Sequence, residues 1–132
     1  ILRDYEVTRE VIGNFNLILL GSPSKNLLIK DLLPKTPAKL NAHGIELDGK
    51  LFKGTLSLAM IYPNPLNPQK MVAFLTGNSK KMELLSLYAL PLYSGSGIPH
   101  YMIFDLEVKQ YGWGGVRAAG FFNEQGKPEK EF

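Results

Sequence analysis

The residues best suited to bind a ligand lie in two polar turns, each of which follows an apolar segment. The first turn comprises residues 21–26 (G-S-P-S-K-N) and the second comprises residues 76–81 (T-G-N-S-K-K). Small residues let a ligand approach the backbone, and the start of a helix offers free N–H groups with a partial positive charge. The turns therefore predict a site for an anion or a sugar, with the candidate ligand-binding residues Ser22, Ser24, Asn26, Thr76, Asn78 and Ser79. Two ordinary helix caps are the competing interpretation.

A stretch rich in proline and asparagine, residues 62–68 (Y-P-N-P-L-N-P), lies between two apolar runs. Prolines restrict the unfolded chain and hold a loop in one shape. A fixed loop suits recognition, so Asn64 and Asn67 join the candidate ligand-binding residues. Asparagine side chains in turns also commonly bond to their own backbone, and purely local structure is the alternative interpretation.

The residue types needed for catalysis or metal binding do not form a recognisable pattern. The chain has no cysteine, and neither His43 nor His100 has a partner at the spacing of a metal site. It has neither a G-x-G-x-x-G motif nor the complete Walker motif G-x-x-x-x-G-K-[ST]. Ser22 or Ser79 could be combined with His100 and Asp105 as a triad, but the G-x-S-x-G elbow is missing. The sequence therefore predicts no metal site, no cofactor and no catalytic residue on this chain.

Length and composition indicate one folded domain over residues 1–132. Hydrophobic residues make up 45% of the chain and charged residues 20%, which is ordinary for a globular protein. The net charge is +3 and the basic residues are scattered, so no nucleic-acid partner is predicted. No apolar run reaches the roughly 18 residues that a membrane span needs. Because the chain opens on Ile1 without an initiator methionine, we interpret it as a fragment of a larger protein.

Strand and helix signals alternate along the chain. The apolar run 15–20, closed by Gly21, is typical of a buried parallel strand. A first helix follows, with Ser24 as the expected cap. Asn78 or Ser79 is the expected cap of a second helix, and the apolar positions of that helix from 82 to 92 cover most of its circumference. We expect that helix to be sandwiched between the sheet and another surface. An Asp48-Gly49 dipeptide predicts a small β-hairpin over residues 45–52.

Together these elements predict an α/β domain: a three-layer sandwich with a mixed, mostly parallel sheet, two main helices and a small hairpin. The linker 63–70 is too short for a parallel crossover, so its flanking strands should pair antiparallel or lie apart. The turns at Gly21, Gly77 and Asp105 should line up at the carboxyl ends of strands, where open sheets form binding crevices. Asp105 therefore completes the candidate ligand-binding residues. The polar tail from Asn123 is expected to fray.

Four segments resemble those of a known family. Residues 16–26 (N-L-I-L-L-G-S-P-S-K-N) resemble an opening "lvlfGtP-x-x-N" motif, and residues 62–70 followed by Thr76-Gly77 resemble "yPNPlnP-x-k…tG". Residues 99–105 and 118–123 are similar to "lPDyvvfD" and "aGfFde". The family is a C-terminal α/β accessory domain of bacterial prolyl-oligopeptidase-like (α/β-hydrolase) proteins, and the resemblance covers most of residues 5–125. The chain departs from these motifs at His100 and Asn123, where the family tends to have acids.

The resemblance implies a non-catalytic accessory or interaction domain of a larger, secreted hydrolase. We expect it to pack on the catalytic domain, or to shape access to its site, through the proline loop and the apolar helix. The catalytic serine, aspartate and histidine would lie in a preceding domain of the same polypeptide, which is the implied partner. Secretion or attachment to the cell envelope is the implied location. The alternative is a small-ligand domain that binds an anion or sugar at the Gly21 and Gly77 turns. A third hypothesis is a weak autonomous enzyme that uses Asp105 and His100.

Overall fold

A computed structural model describes residues 2–87 and 99–129 of the chain. Eight strands are present in this part: β1 (Leu17–Leu20), β2 (Ala38–Asn41), β3 (Gly44–Leu47), β4 (Lys50–Lys53), β5 (Ser57–Asn64), β6 (Asn67–Gly77), β7 (Tyr101–Phe104) and β8 (Val116–Gly120). The helices are α1 (Arg9–Asn14), α2 (Leu27–Leu32), α3 (Lys80–Leu85) and α4 (Val108–Tyr111). Strands β1 and β5–β8 form the main sheet, and β2–β4 form a second, three-stranded sheet.

The main sheet has the strand order β1-β6-β5-β7-β8 and is mixed, as predicted. The expectation that it would be mostly parallel is wrong. Only β1 and β6 pair in parallel, and the other three pairings are antiparallel. The reason is the connection between β5 and β6, which leaves only Pro65 and Leu66 outside the strands. A two-residue link must reverse the chain at once. The antiparallel option for the flanking strands is therefore confirmed, and the proline segment is the end of a hairpin.

The side chains of each strand alternate between the two faces of the main sheet. The face that carries Leu58 and Phe74 packs against α2 and the three-stranded sheet, and we call it the closed face. The opposite face, which carries Ala59, Leu75 and Met102, packs against Met82 and Leu85 of α3, and we call it the open face. The three-layer α/β arrangement is thus confirmed.

The predicted hairpin is present as β3 and β4, and β2 extends it to three strands. Asp48 and Gly49 both have positive φ, 49° and 84°, as a type I′ turn requires. Aspartate tolerates that conformation better than most residues and glycine tolerates it without steric cost. This local turn chemistry explains why the sequence alone located the hairpin.

The predicted fraying of the tail is wrong for residues 123–129. The Asn123 side-chain oxygen accepts hydrogen bonds from the N–H groups of Gln125 and Lys127. The Tyr62 hydroxyl donates to the Gly126 carbonyl at 3.0 Å, and Phe122 packs edge-on against the Tyr62 ring. These contacts bind a polar segment to the sheet, which composition alone does not reveal. The predicted helix positions beyond Leu87 lie outside the described residues.

Candidate functional site

The carboxyl ends of three strands meet at one edge of the main sheet. Strands β6 and β7 both run antiparallel to β5, so they share one direction, and β1 runs parallel to β6. The turns at Gly21, Gly77 and Asp105 therefore follow the same edge, as the sequence predicts. Only β1 and β6 are adjacent in this group, because β5 lies between β6 and β7.

A cleft of about 540 Å³ lies between the turns that follow β1 and β6. Four candidate residues line it: Ser22, Ser24, Asn78 and Ser79. Lys25 and Lys80 also line it, and Lys25 reaches across to Glu83 with an N–O distance of 3.9 Å. The Lys25 side chain is 58% exposed, so solvent screens this ion pair and leaves it little stabilising effect. The structure thus brings two predicted turns and two lysines to one cleft.

The polar groups of the first turn serve largely to hold the chain in place. The hydroxyls of Ser22 and Ser24 lie 3.0 Å apart and hydrogen-bond to each other. Asn26 caps α2, because its oxygen accepts from Leu28 N–H and Ile29 N–H. Its side-chain nitrogen donates to the Leu20 carbonyl. The prediction of Ser24 as the cap is wrong: the chain makes a turn first, and the helix begins two residues later.

The polar side chains of the second turn also form hydrogen bonds to backbone groups of the domain. The Asn78 oxygen accepts from Leu56 N–H at 2.9 Å, while its nitrogen donates to the carbonyls of Asn41 and Gly54 at 3.2 and 2.8 Å. This one side chain therefore ties the three-stranded sheet to the end of β6. Ser79 caps α3 by accepting from Met82 N–H.

Thr76 is the candidate residue that comes just before this second turn. It is fully buried within β6, and its hydroxyl has no partner among the described residues. It lies opposite Leu58 of β5 in the sheet register. Thr76 is therefore part of the core and does not line the cleft.

Asn64 and Asn67 lie at the opposite end of the sheet. Strand β6 contains 11 residues, so its two ends are roughly 35 Å apart at about 3.3 Å per residue. The Asn64 oxygen accepts from Leu66 N–H, which closes the hairpin. The Asn67 nitrogen donates to the carbonyls of Ile12 and Gly13 in α1. Both residues shape the hairpin, and neither approaches the cleft.

Asp105 and His100 flank β7 at opposite ends. Five residue steps of extended strand separate them by roughly 16 Å. Asp105 accepts from Glu107 N–H and lies 3.8 Å from the Arg117 guanidinium. The ring nitrogen Nδ1 of His100 accepts from Phe122 N–H at 3.0 Å. The hypothesis of an enzyme that uses these two residues together is wrong, because the strand holds them apart.

An apolar surface lies beside the cleft, and the sequence indicated only its half on the helix that follows Ser79, not its half on β1. Ile18, Leu20 and Leu84 are 62%, 49% and 63% exposed, and Leu87 is 37% exposed. Leu20, Leu84 and Leu87 line one groove of about 320 Å³. We call Ile18, Leu20, Leu84 and Leu87 the apolar surface.

Two sequence signals bear on this surface. The apolar run 15–20 was expected to be buried on both sides, but Leu17 and Leu19 are buried whereas Ile18 and Leu20 are exposed. β1 is an edge strand, and α3 covers only part of its open face. The apolar positions around α3 were the signal for a second surface: Met82 and Leu85 face the sheet, and Leu84 faces away.

The described residues contain neither a cluster of metal ligands nor a helix that could span a membrane. No group of three or more His, Asp or Glu side chains there is placed to hold a metal ion. Within the same residues, no helix has the length and apolar character to cross a membrane. Comparisons of the chain with protein-family models, curated proteins and solved structures find no significant match.

Proposed function

We propose that this chain is a non-catalytic accessory domain that docks against the catalytic domain of a larger, secreted hydrolase. The apolar surface is the observation that carries the proposal. Leucine and isoleucine side chains that are about half exposed lie side by side on β1 and α3. Contiguous exposed apolar groups, rimmed by polar residues, mark interaction sites in folded proteins.

The fate of the other polar candidates supports the same proposal. Asn26, Asn64, Asn67 and Asn78 all direct their side chains to backbone groups of their own domain. Asp105 and His100 are likewise occupied by local partners and lie at opposite ends of β7. The family resemblance of residues 16–26 and 62–70 supplies the expected partner, a serine hydrolase domain of the same polypeptide.

The full reading frame that contains residues 1–132 tests the proposal. We expect it to encode a second domain with its own catalytic serine. Hydrogen exchange should be slower at residues 17–20 and 79–87 in the full-length protein than in the isolated chain, because docking removes these segments from solvent. Leu84→Asp should restore fast exchange there, whereas Leu66→Asp, at a leucine exposed on the hairpin, should leave exchange unchanged.

Two results would overturn the proposal. One is a reading frame without a second domain. The other is equal exchange at residues 17–20 and 79–87 in the isolated chain and the full-length protein. Peptidase and esterase assays on the isolated chain should be blank, and turnover there that survives repurification would also contradict a non-catalytic role.

A second candidate function is binding of an anion or sugar in the cleft. The observation that favours it is the convergence of Ser22, Ser24, Ser79, Lys25 and Lys80 on one 540 Å³ cleft. Ligand that binds only the folded state raises the melting temperature. Millimolar phosphate, nucleotides and sugars should therefore be screened by thermal shift. A rise for one of them that disappears in Lys80→Gln supports this candidate, and no rise for any of them contradicts it.

A further inference from the structure

The Leu84 side chain lines two neighbouring grooves on the outer side of α3. The first, of about 320 Å³, also contains Leu20 and Leu87. The second, of about 230 Å³, also contains Leu85 and Leu106. Leu84 thus forms a ridge with an apolar groove on either side. Side chains of a facing element pack into grooves of this kind.

The margins of both grooves are basic. Lys25 and Lys80 line the first groove, and Lys81 and Lys109 line the second. The one acid among the described residues that line them is Glu83, whose carboxylate lies 3.9 Å from Lys25. Among the described residues that line the two grooves, lysines therefore outnumber acids by three.

This local excess equals the net charge of the whole chain. The sequence has 15 basic and 12 acidic residues, a net charge of +3. Without the four lysines and the glutamate of the grooves, the rest of the chain has 11 basic and 11 acidic residues. The lining of these two grooves therefore carries an excess of basic residues, whereas basic and acidic residues balance in the rest of the chain.

From this coincidence we infer that the partner of the apolar surface is a polypeptide face with an apolar centre and a carboxylate margin. The inference rests on the proposed docking function and specifies the chemistry of the partner. Apolar groups at the centre of an interface leave water when the partners bind, and this favours association. Complementary charges at its rim set the orientation, speed association and disfavour basic partners. Two grooves that accept separate side chains favour a protein face over a lipid surface.

The test compares charge variants of the full-length protein. In the wild type, exchange at residues 79–87 should be at least about tenfold slower than in the isolated chain. Lys80→Glu/Lys81→Glu should remove most of that protection, and raising NaCl should weaken it in the wild type. The Debye length falls from about 10 Å at 0.1 M salt to about 3 Å at 1 M. Lys30→Glu/Lys35→Glu makes the same charge change at exposed positions away from the grooves and should keep the protection.

The outcomes separate this inference from the function on which it rests. Protection that survives Lys80→Glu/Lys81→Glu and 1 M NaCl overturns the carboxylate margin but leaves docking intact. No protection in the wild type overturns docking itself. Protection that appears in the isolated chain as its concentration rises assigns the surface to a second copy. Binding of the isolated chain to phosphatidylserine vesicles, lost in Lys80→Glu/Lys81→Glu, assigns it to a lipid surface. Either of the last two results overturns the inference.

Discussion

The closed and open faces of the main sheet are built from the same strands but are covered very differently. On the closed face, α2 and the three-stranded sheet bury Leu58 and Phe74 completely. On the open face, α3 buries Ala59 and Leu75, whereas Ile18 at the edge stays 62% exposed. Alternation along a strand decides only which face a residue occupies. Whether that residue is buried depends on which element packs over the face.

The largest expected effect is on the closed face. Leu58→Ala removes a fully buried side chain and leaves a cavity between β5, α2 and the small sheet. The free energy of unfolding should fall by about 2–5 kcal/mol, as measured by urea denaturation. Leu58→Met roughly conserves volume and should cost less than about 1.5 kcal/mol. A loss below about 1 kcal/mol for the alanine variant would show that this face is less tightly packed than its burial indicates.

The packing of α3 on the open face depends on Gly77. A Cβ atom at this position would lie 2.5 Å from Met82 Cβ and 2.6 Å from its backbone carbonyl carbon. Gly77→Ala should therefore displace α3 and lower the free energy of unfolding by about 1–3 kcal/mol. Gly13→Ala is the matched control, since a Cβ there meets nothing within 4 Å. Equal stability of the two variants would mean that α3 moves without resistance.

Asn78 holds the three-stranded sheet over the closed face. Asn78→Ala removes its hydrogen bonds to Leu56, Asn41 and Gly54, and should lower the free energy of unfolding by about 1–2 kcal/mol. Asn78→Asp keeps the acceptor for Leu56 N–H but places a carboxylate oxygen beside two carbonyls. Its free energy of unfolding should therefore be no higher than that of Asn78→Ala. Faster hydrogen exchange at residues 38–53 would show that the loss of stability lies in the three-stranded sheet. Unchanged exchange there would show that Asn78 does not hold this sheet in place.

The other cover of the closed face, α2, begins at Asn26. Asn26→Ala removes the cap on Leu28 N–H and Ile29 N–H and should cost about 1 kcal/mol. Asn26→Ser retains a capping oxygen and should recover most of that loss. Ser24→Ala should have the smaller effect, because Ser24 bonds only to Ser22 across the turn. A larger effect at Ser24 than at Asn26 would place the cap where the sequence first suggested.

The smallest expected effect is on the outer side of the open face. Leu84→Ser changes a side chain that is 63% exposed, so the free energy of unfolding of the isolated chain should change by no more than about 0.5 kcal/mol. Urea denaturation of the isolated chain measures this change. A loss similar to that of Leu58→Ala would show that Leu84 is part of the domain core, and would remove the main support for a docking surface.

Local chemistry decided much of what could be predicted. The Asp48-Gly49 turn, the apolar runs of the strands and the capping role of Ser79 all depend on residues within a few positions of one another. The alignment of Gly21, Gly77 and Asp105 at one edge was also predicted, although it results from β6 and β7 both pairing antiparallel with β5 rather than from a mostly parallel sheet. The wrong predictions concerned the cap at Ser24, the strand directions and the tail. The cap was supplied by Asn26 instead, the short link between β5 and β6 reversed the chain, and contacts with Tyr62 held the tail on the sheet.

The amino-acid sequence by itself therefore determined most of the strands, the two helices that follow Gly21 and Gly77, and the hairpin turn, since these depend on short-range alternation and turn chemistry. Only the tertiary structure decided what covers each face. It assigned four asparagines to backbone groups of the same domain, separated His100 from Asp105, and left Leu84 exposed among lysines. Burial and partnership of a side chain depend on residues far away in the chain, and no local pattern encodes them.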